Sequence, residues 1–142
     1  LKILIYGLPG SGKTTLAKPL AQLLSAVHIN ADEVREKYND WDFTIEGRMR
    51  QATRMKHLAD GVVMAGKIAV VDFVCPTNTA RELFDPDFII WMDTIDKGPY
   101  ADTNDLFEIP DVVHYRVSEW FEDTHEVLIP VLKRYMERSK CV

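Results

Sequence analysis

Apolar residues fall in short blocks along the chain, and the spacing within blocks alternates between strand-like and helix-like periods. Leu1 to Tyr6 has the pattern of a buried strand and runs straight into Gly7 to Thr14, where glycines stop it. Leu16, Leu20, Leu23 and Leu24 then recur at the spacing of an amphipathic helix resting on a sheet. Pro19 is expected to bend that helix, because it cannot donate to the Thr15 carbonyl. Ala26 to Asn30 predicts a second strand and Asp32 to Tyr38 a brief helix. From a Thr44 N-cap to Ala65, the positions Met49, Ala52, Met55, Ala59, Val62 and Val63 form the stripe of a longer helix that Gly66 ends. Ile68 to Phe73 and Phe88 to Met92 are continuous apolar runs, the mark of parallel strands covered on both faces. Asp111 to Val117 is a candidate fifth strand. A last helix is expected from about Ser118, carrying Trp120, Val127, Leu128, Val131, Leu132 and Tyr135, with Pro130 as a kink or restart. Strands alternating with helices, without repeats or low-complexity linkers, predict a single α/β domain over residues 1–142 with right-handed crossovers.

Composition narrows the function classes. A chain of 142 residues that is 46% hydrophobic and 27% charged buries enough surface to fold without a staple. Cys75 and Cys141 lie far apart with no metal-ligand spacing, which argues against a zinc ribbon or disulfide scaffold and for a reducing, cytoplasmic setting. The apolar runs are too short to span a bilayer and no signal-peptide pattern opens the chain, so no membrane partner is expected. A net charge of −5, from 17 basic and 22 acidic residues, argues against a nucleic-acid partner while leaving room for a local anion site.

That site is written in Gly7-Leu8-Pro9-Gly10-Ser11-Gly12-Lys13-Thr14, which fits GxxxxGK[ST] between a strand and a helix. Gly7, Gly10 and Gly12 let backbone N–H groups approach phosphate oxygens, Lys13 reaches the β- and γ-phosphates, and Thr14 holds Mg²⁺. Pro9, Ser11 and Thr15 complete the expected ATP-binding segment. Asp32 follows the second strand at the carboxyl edge where open α/β sheets bind ligands; it is placed either to orient or deprotonate a substrate hydroxyl or to cap the next helix. Asp72 closes a hydrophobic run as a Walker-B carboxylate for Mg²⁺ does, and equally as a loop cap does. Arg48, Gln51 and Arg54 share one side of the long helix, as an anion clamp or as a solvated basic face.

Taken together, the phosphate loop, Asp32-Glu33-Val34-Arg35, Asp42-Phe43-Thr44 with Arg48, and Phe73-Val74-Cys75-Pro76 with Arg81 make the chain resemble adenylylsulfate kinase. The resemblance covers about two-thirds of the chain. It implies a three-layer P-loop NTPase fold with a central, mostly parallel five-stranded sheet. It also implies ATP-dependent phosphoryl transfer to the 3′-hydroxyl of adenylyl sulfate. By position, Asp32 would face that hydroxyl, Phe43 would stack on the acceptor's adenine, Arg35 and Arg48 would hold its phosphosulfate, and Val74 and Cys75 would line its base pocket. Gln51 and Lys97 join the expected acceptor set, Lys97 through Lys97-Gly98-Pro99-Tyr100, which is similar to the family's Lys-Gly-Leu-Tyr. The chain departs from the family pattern at Glu33, Gln51 and Asp72, and its stretch from Thr94 to Asp111 is shorter than the family's lid. Two other readings stay open: a P-loop kinase for another small hydroxyl acceptor, and a nucleotide-binding module without transfer. A homodimer is left open as well.

Overall fold

The computed structural model describes residues 1–120 and 122–140. Its strands are β1 (Lys2–Tyr6), β2 (Val27–Asn30), β3 (Ala69–Asp72), β4 (Phe88–Met92) and β5 (Tyr115–Val117). They form a five-stranded sheet in the order β2-β3-β1-β4-β5, and every pairing is parallel. The helices are α1 (Lys13–Leu24), α2 (Ala31–Tyr38), α3 (Ile45–Met64), α4 (Asn78–Phe84), α5 (Ala101–Leu106) and α6 (Thr124–Lys140).

Because successive strand residues point to opposite faces, β1 feeds two separate cores. Leu4 and Tyr6 pack with Met55 and Ala59 of α3 and Phe84 of α4, whereas Ile3 and Ile5 pack with Leu16 and Leu20 of α1 and Leu128 and Leu132 of α6. The result is a three-layer sandwich. Fully burying a side chain such as Leu16 or Met55 contributes roughly 1.5–3 kcal/mol, so these two layers fix where the strand ends lie. Asn30, Asp72 and Ile5 sit side by side in register at the carboxyl edge of β2, β3 and β1. The segments that leave that edge build the site.

The helices follow the sequence pattern closely where an apolar stripe is long. In α3 the Thr44 hydroxyl caps the start by accepting from Gly47 N–H. At its end Gly66, at φ 81, bonds back to Val63 O while Lys67 N–H bonds to Val62 O, a Schellman stop. α1 continues through Pro19 and α6 through Pro130, so Pro130 does not restart its helix. α6 begins at Thr124 rather than near Ser118, so Trp120 precedes it and reaches toward Gly12. α4 and α5 were not expected; they are seven and six residues long, too short to show a helical period. Cys75 is buried and free, and Cys141 lies outside the described residues. Among the described residues no helix is long and apolar enough to cross a membrane.

Candidate active site

The loop leaving β1 is shaped by contacts that only glycine permits. A Cβ on Gly7 would lie 2.6 Å from Met92 O and 2.8 Å from Ser11 Oγ, so the loop is pressed against the end of β4. Gly10 and Gly12 turn in the left-handed region, at φ 87 and 95. The Thr94 hydroxyl pins the turn from the other side by donating to Ser11 O at 2.7 Å. Gly12 is the N-cap of α1 and brings no side chain to its first N–H groups, which leaves the positive end of a twelve-residue helix facing the cavity.

The cavity has a volume of about 680 Å³, within the range of ligand sites. Its walls come from the loop and α1 (Pro9, Gly10, Gly12, Lys13, Thr14, Thr15), from Asn30 to Asp32, from Trp41, Phe43 and Arg48, from Asp72 to Val74, and from Tyr100, Asp102 and Thr103. Gly7 and Ser11 shape the loop from behind and are not part of the lining. Lys13 Nζ donates to Leu8 O at 3.1 Å. Burial holds its ammonium pKa below the usual lysine range, while the nearby carboxylates of Asp72 and Asp32 oppose that shift.

Asp72 is the best-partnered acid of the site. Its Oδ1 accepts from the Thr14 hydroxyl at 3.0 Å and from Asn30 Nδ2 at 3.0 Å, and its Oδ2 meets His28 Nε2. Asn30 also caps α2, accepting from Glu33 N–H at 3.0 Å. The cap expected of Asp32 is therefore supplied by Asn30, and the exposed Asp32 carboxylate lines the cavity instead.

On the opposite wall, Phe43 is 45% exposed, with the Arg35 guanidinium 4.3 Å and the Arg48 guanidinium 5.5 Å from its ring centre. Arg35 Nη1 donates to the carbonyls of Asp40 and Asp42 at 3.0 and 3.1 Å, and burial lowers its pKa. Arg48 Nε donates to Phe43 O at 2.8 Å and its Nη2 to the Thr103 hydroxyl at 3.0 Å. The expected row Arg48, Gln51 and Arg54 divides. Arg48 faces the cavity, buried Gln51 donates to Ala31 O at 3.0 Å, and Arg54 pairs with Asp40 at 2.7 Å. An adjoining recess of about 70 Å³ is bounded by Arg35, Gln51, Val74, Cys75, Pro76 and Ala80. Cys75 sits there at φ 42, an uncommon conformation before a proline, held by Arg81, whose Nε donates to Cys75 O at 2.9 Å and Nη2 to Pro76 O at 3.2 Å. Burial pushes its thiol up to about 12, so it is a wall and not a nucleophile. Lys97 is exposed and lines neither space.

Sequence reasoning missed Asn30, Trp41, Tyr100, Asp102 and Thr103 in this lining. Asn30, two residues before the helix predicted from Asp32, carried a capping signal that was available. Nothing local distinguished Asp102 and Thr103.

An all-parallel sheet with a glycine-rich phosphate loop at its carboxyl edge, a lysine and a threonine opening the next helix, and an acid beside them defines a P-loop nucleotide-binding domain of the small-kinase type. The model of the adenylylsulphate kinase family matches residues 1–88, and the chain belongs to that family. It is 35% identical over 85 residues to the probable adenylyl-sulfate kinase of Aeropyrum pernix, a match covering 56% of this chain and 46% of that protein. The chain thus spans about half the length of that relative. Among solved structures, the Mycobacterium tuberculosis APS kinase CysC in complex with AMPPNP and APS superposes with a TM-score of 0.77 at 19% identity, covering 93% of this chain and 96% of that one. A shikimate kinase from Acinetobacter baumannii in complex with shikimate superposes at 0.63 and 20% identity, covering 96% and 93%. The shared fold therefore spans kinases of different acceptors.

Proposed function

We propose that residues 1–142 act as one kinase domain that transfers the γ-phosphoryl group of ATP to the 3′-hydroxyl of adenylyl sulfate, giving 3′-phosphoadenylyl sulfate. The observation that carries this reading is the convergence on one cavity of the phosphate loop and of Asp32, Phe43, Arg48 and Val74, from four separate stretches of chain. Membership of the adenylylsulphate kinase family supports the choice of acceptor.

The loop N–H groups and Lys13 would hold the ATP phosphates. Asp32 would accept the proton of the 3′-hydroxyl as its oxygen bonds to the γ-phosphorus and the bond to the leaving ADP breaks. Phe43 presents a half-exposed ring to a purine, and Arg48 a guanidinium to sulfate or phosphate oxygens. A divalent cation such as Mg²⁺ fits the hard oxygen donors of the Thr14 hydroxyl and the Asp72 carboxylate, which lie 3.0 Å apart. It would supply charge neutralisation at the phosphates, with Asn30 and His28 holding the Asp72 carboxylate in place.

The test is product formation from ATP, Mg²⁺ and adenylyl sulfate against a panel of sugar-acid, shikimate and nucleoside monophosphate acceptors. The reading requires turnover with adenylyl sulfate well above every other acceptor. Preference for another hydroxyl would replace the acceptor, and ATP binding without turnover of any would leave a nucleotide-binding module.

A further inference from the structure

We propose that Asp102 is a specificity-determining residue that occupies Arg48 in place of the acceptor's anionic group, so that the acceptor must exchange with this carboxylate to bind. The inference rests on the reading of this wall as the pocket of an anionic acceptor.

Two cations lie against Phe43, and they are not equally available. Arg35 spends its Nη1 on two backbone carbonyls. Arg48 is anchored through Nε to Phe43 O, which leaves its outer edge toward the cavity. That edge meets Thr103 Oγ1 at 3.0 Å and Asp102 Oδ2 at 3.5 Å. The contact is lopsided: the Arg48 side chain is 11% exposed, and that of Asp102 is 69% exposed. A long, solvated ion pair of this kind holds weakly, whereas a sulfate or phosphate offers several oxygens to the planar fork.

The carboxylate is also kept where it competes. Asp102 lies in the first turn of α5, and the approach to α5 is clasped by the mutual bonds of Gly98 and Asn104, at 2.8 and 2.9 Å. The chain beyond α5 is tied down by Glu108 N–H donating to Pro76 O at 2.7 Å. Two anions on one guanidinium edge repel, so the acceptor's group displaces Asp102 rather than joining it.

Asp102→Asn keeps the shape and removes the charge. Titration calorimetry with adenylyl sulfate and, separately, with ATP is expected to show acceptor binding about three- to tenfold tighter in the variant, the scale of one exposed charge contact, with ATP affinity within about twofold. Equal or weaker acceptor binding in a variant that binds ATP normally would overturn the inference and leave the functional reading standing. No adenylyl sulfate binding by either protein would overturn the reading and the inference together.

Discussion

The two halves of the cavity are held by different forces. The nucleotide half is a backbone construction: Ser11 N–H closes on Leu8 O at 3.1 Å, Thr94 pins Ser11 O, and Gly7 packs directly on Met92. Its acid, Asp72, is 2% exposed and fully engaged. The acceptor half is tied by charged side chains at the surface: Arg50 bonds Asp40 at 2.8 Å and Asp42 at 3.0 Å, and Arg54 bonds Asp40 at 2.7 Å. The bonds from Arg50 and Arg54 hold the Asp40 carboxyl well below the usual carboxylate range. The bonds that shape the first half are mostly backbone and buried, where salt screens little, while those that tie the second include ion pairs more open to ionic strength and local charge. On the proposed function, phosphate binding, common to many kinases, falls to the rigid half and acceptor choice to the adjustable one.

Substitutions can pull the two halves apart. The largest effect is expected at Asp32, the proposed acceptor of the hydroxyl proton. Asp32→Asn should lower kcat by about 10²–10⁴ with little change in ATP affinity, measured by steady-state kinetics and ATP titration. Wild-type kcat would remove Asp32 from the chemistry. Lys13→Ala comes next. Losing one preorganised charge contact costs about 2.7–4 kcal/mol of transition-state stabilisation, so turnover should fall by about a hundred- to a thousandfold while the melting temperature is kept.

A pair of glycines sharpens the contrast. Gly7→Ala would force its Cβ onto Met92 O, and Gly47→Ala would place one 2.3 Å from Asp42 O. Overpacking of this kind costs roughly 1–3 kcal/mol. Gly7→Ala should raise the KM for ATP and Gly47→Ala the KM for adenylyl sulfate. Identical kinetic profiles would mean that the halves are not separable.

The smallest effect is in the recess wall. Cys75 ionises near 9.0 when unfolded and at about 12 when folded. Its raised folded value gives a contribution fully present below pH 9 that is lost as the pH climbs toward 12, because only the unfolded chain releases the proton in that window. Melting temperature should therefore fall less between pH 8 and pH 10.5 in Cys75→Ala than in the wild type. A parallel decline would show that the thiol is open to solvent.

The same division governs what could be read from the sequence. The nucleotide half is contiguous, so eight residues from Gly7 to Thr14 announce both the turn and its ligand. The strands were legible for a related reason, since continuous apolar runs such as Phe88 to Met92 demand cover on both faces. The acceptor half is assembled from Asp32, Phe43, Arg48, Val74 and Thr103, and only a resemblance put most of these together. α5 escaped because six residues with only Thr103 buried carry no period. The split of Arg48, Gln51 and Arg54 escaped because helical spacing places residues on a side without saying which partner takes them. Gln51 went to the Ala31 carbonyl and Arg54 to Asp40, choices made by the neighbouring α2 and by the turn that follows it.

The central claim is that an anionic acceptor is held by Arg48, away from the phosphate loop. Its most direct measurement is the pair of KM values, for adenylyl sulfate and for ATP, in Arg48→Ala. Removal of a charge-assisted hydrogen bond is expected to raise the KM for adenylyl sulfate by about ten- to a hundredfold while the KM for ATP stays within about twofold. An unchanged KM for adenylyl sulfate, or an equal rise in both values, would contradict the claim.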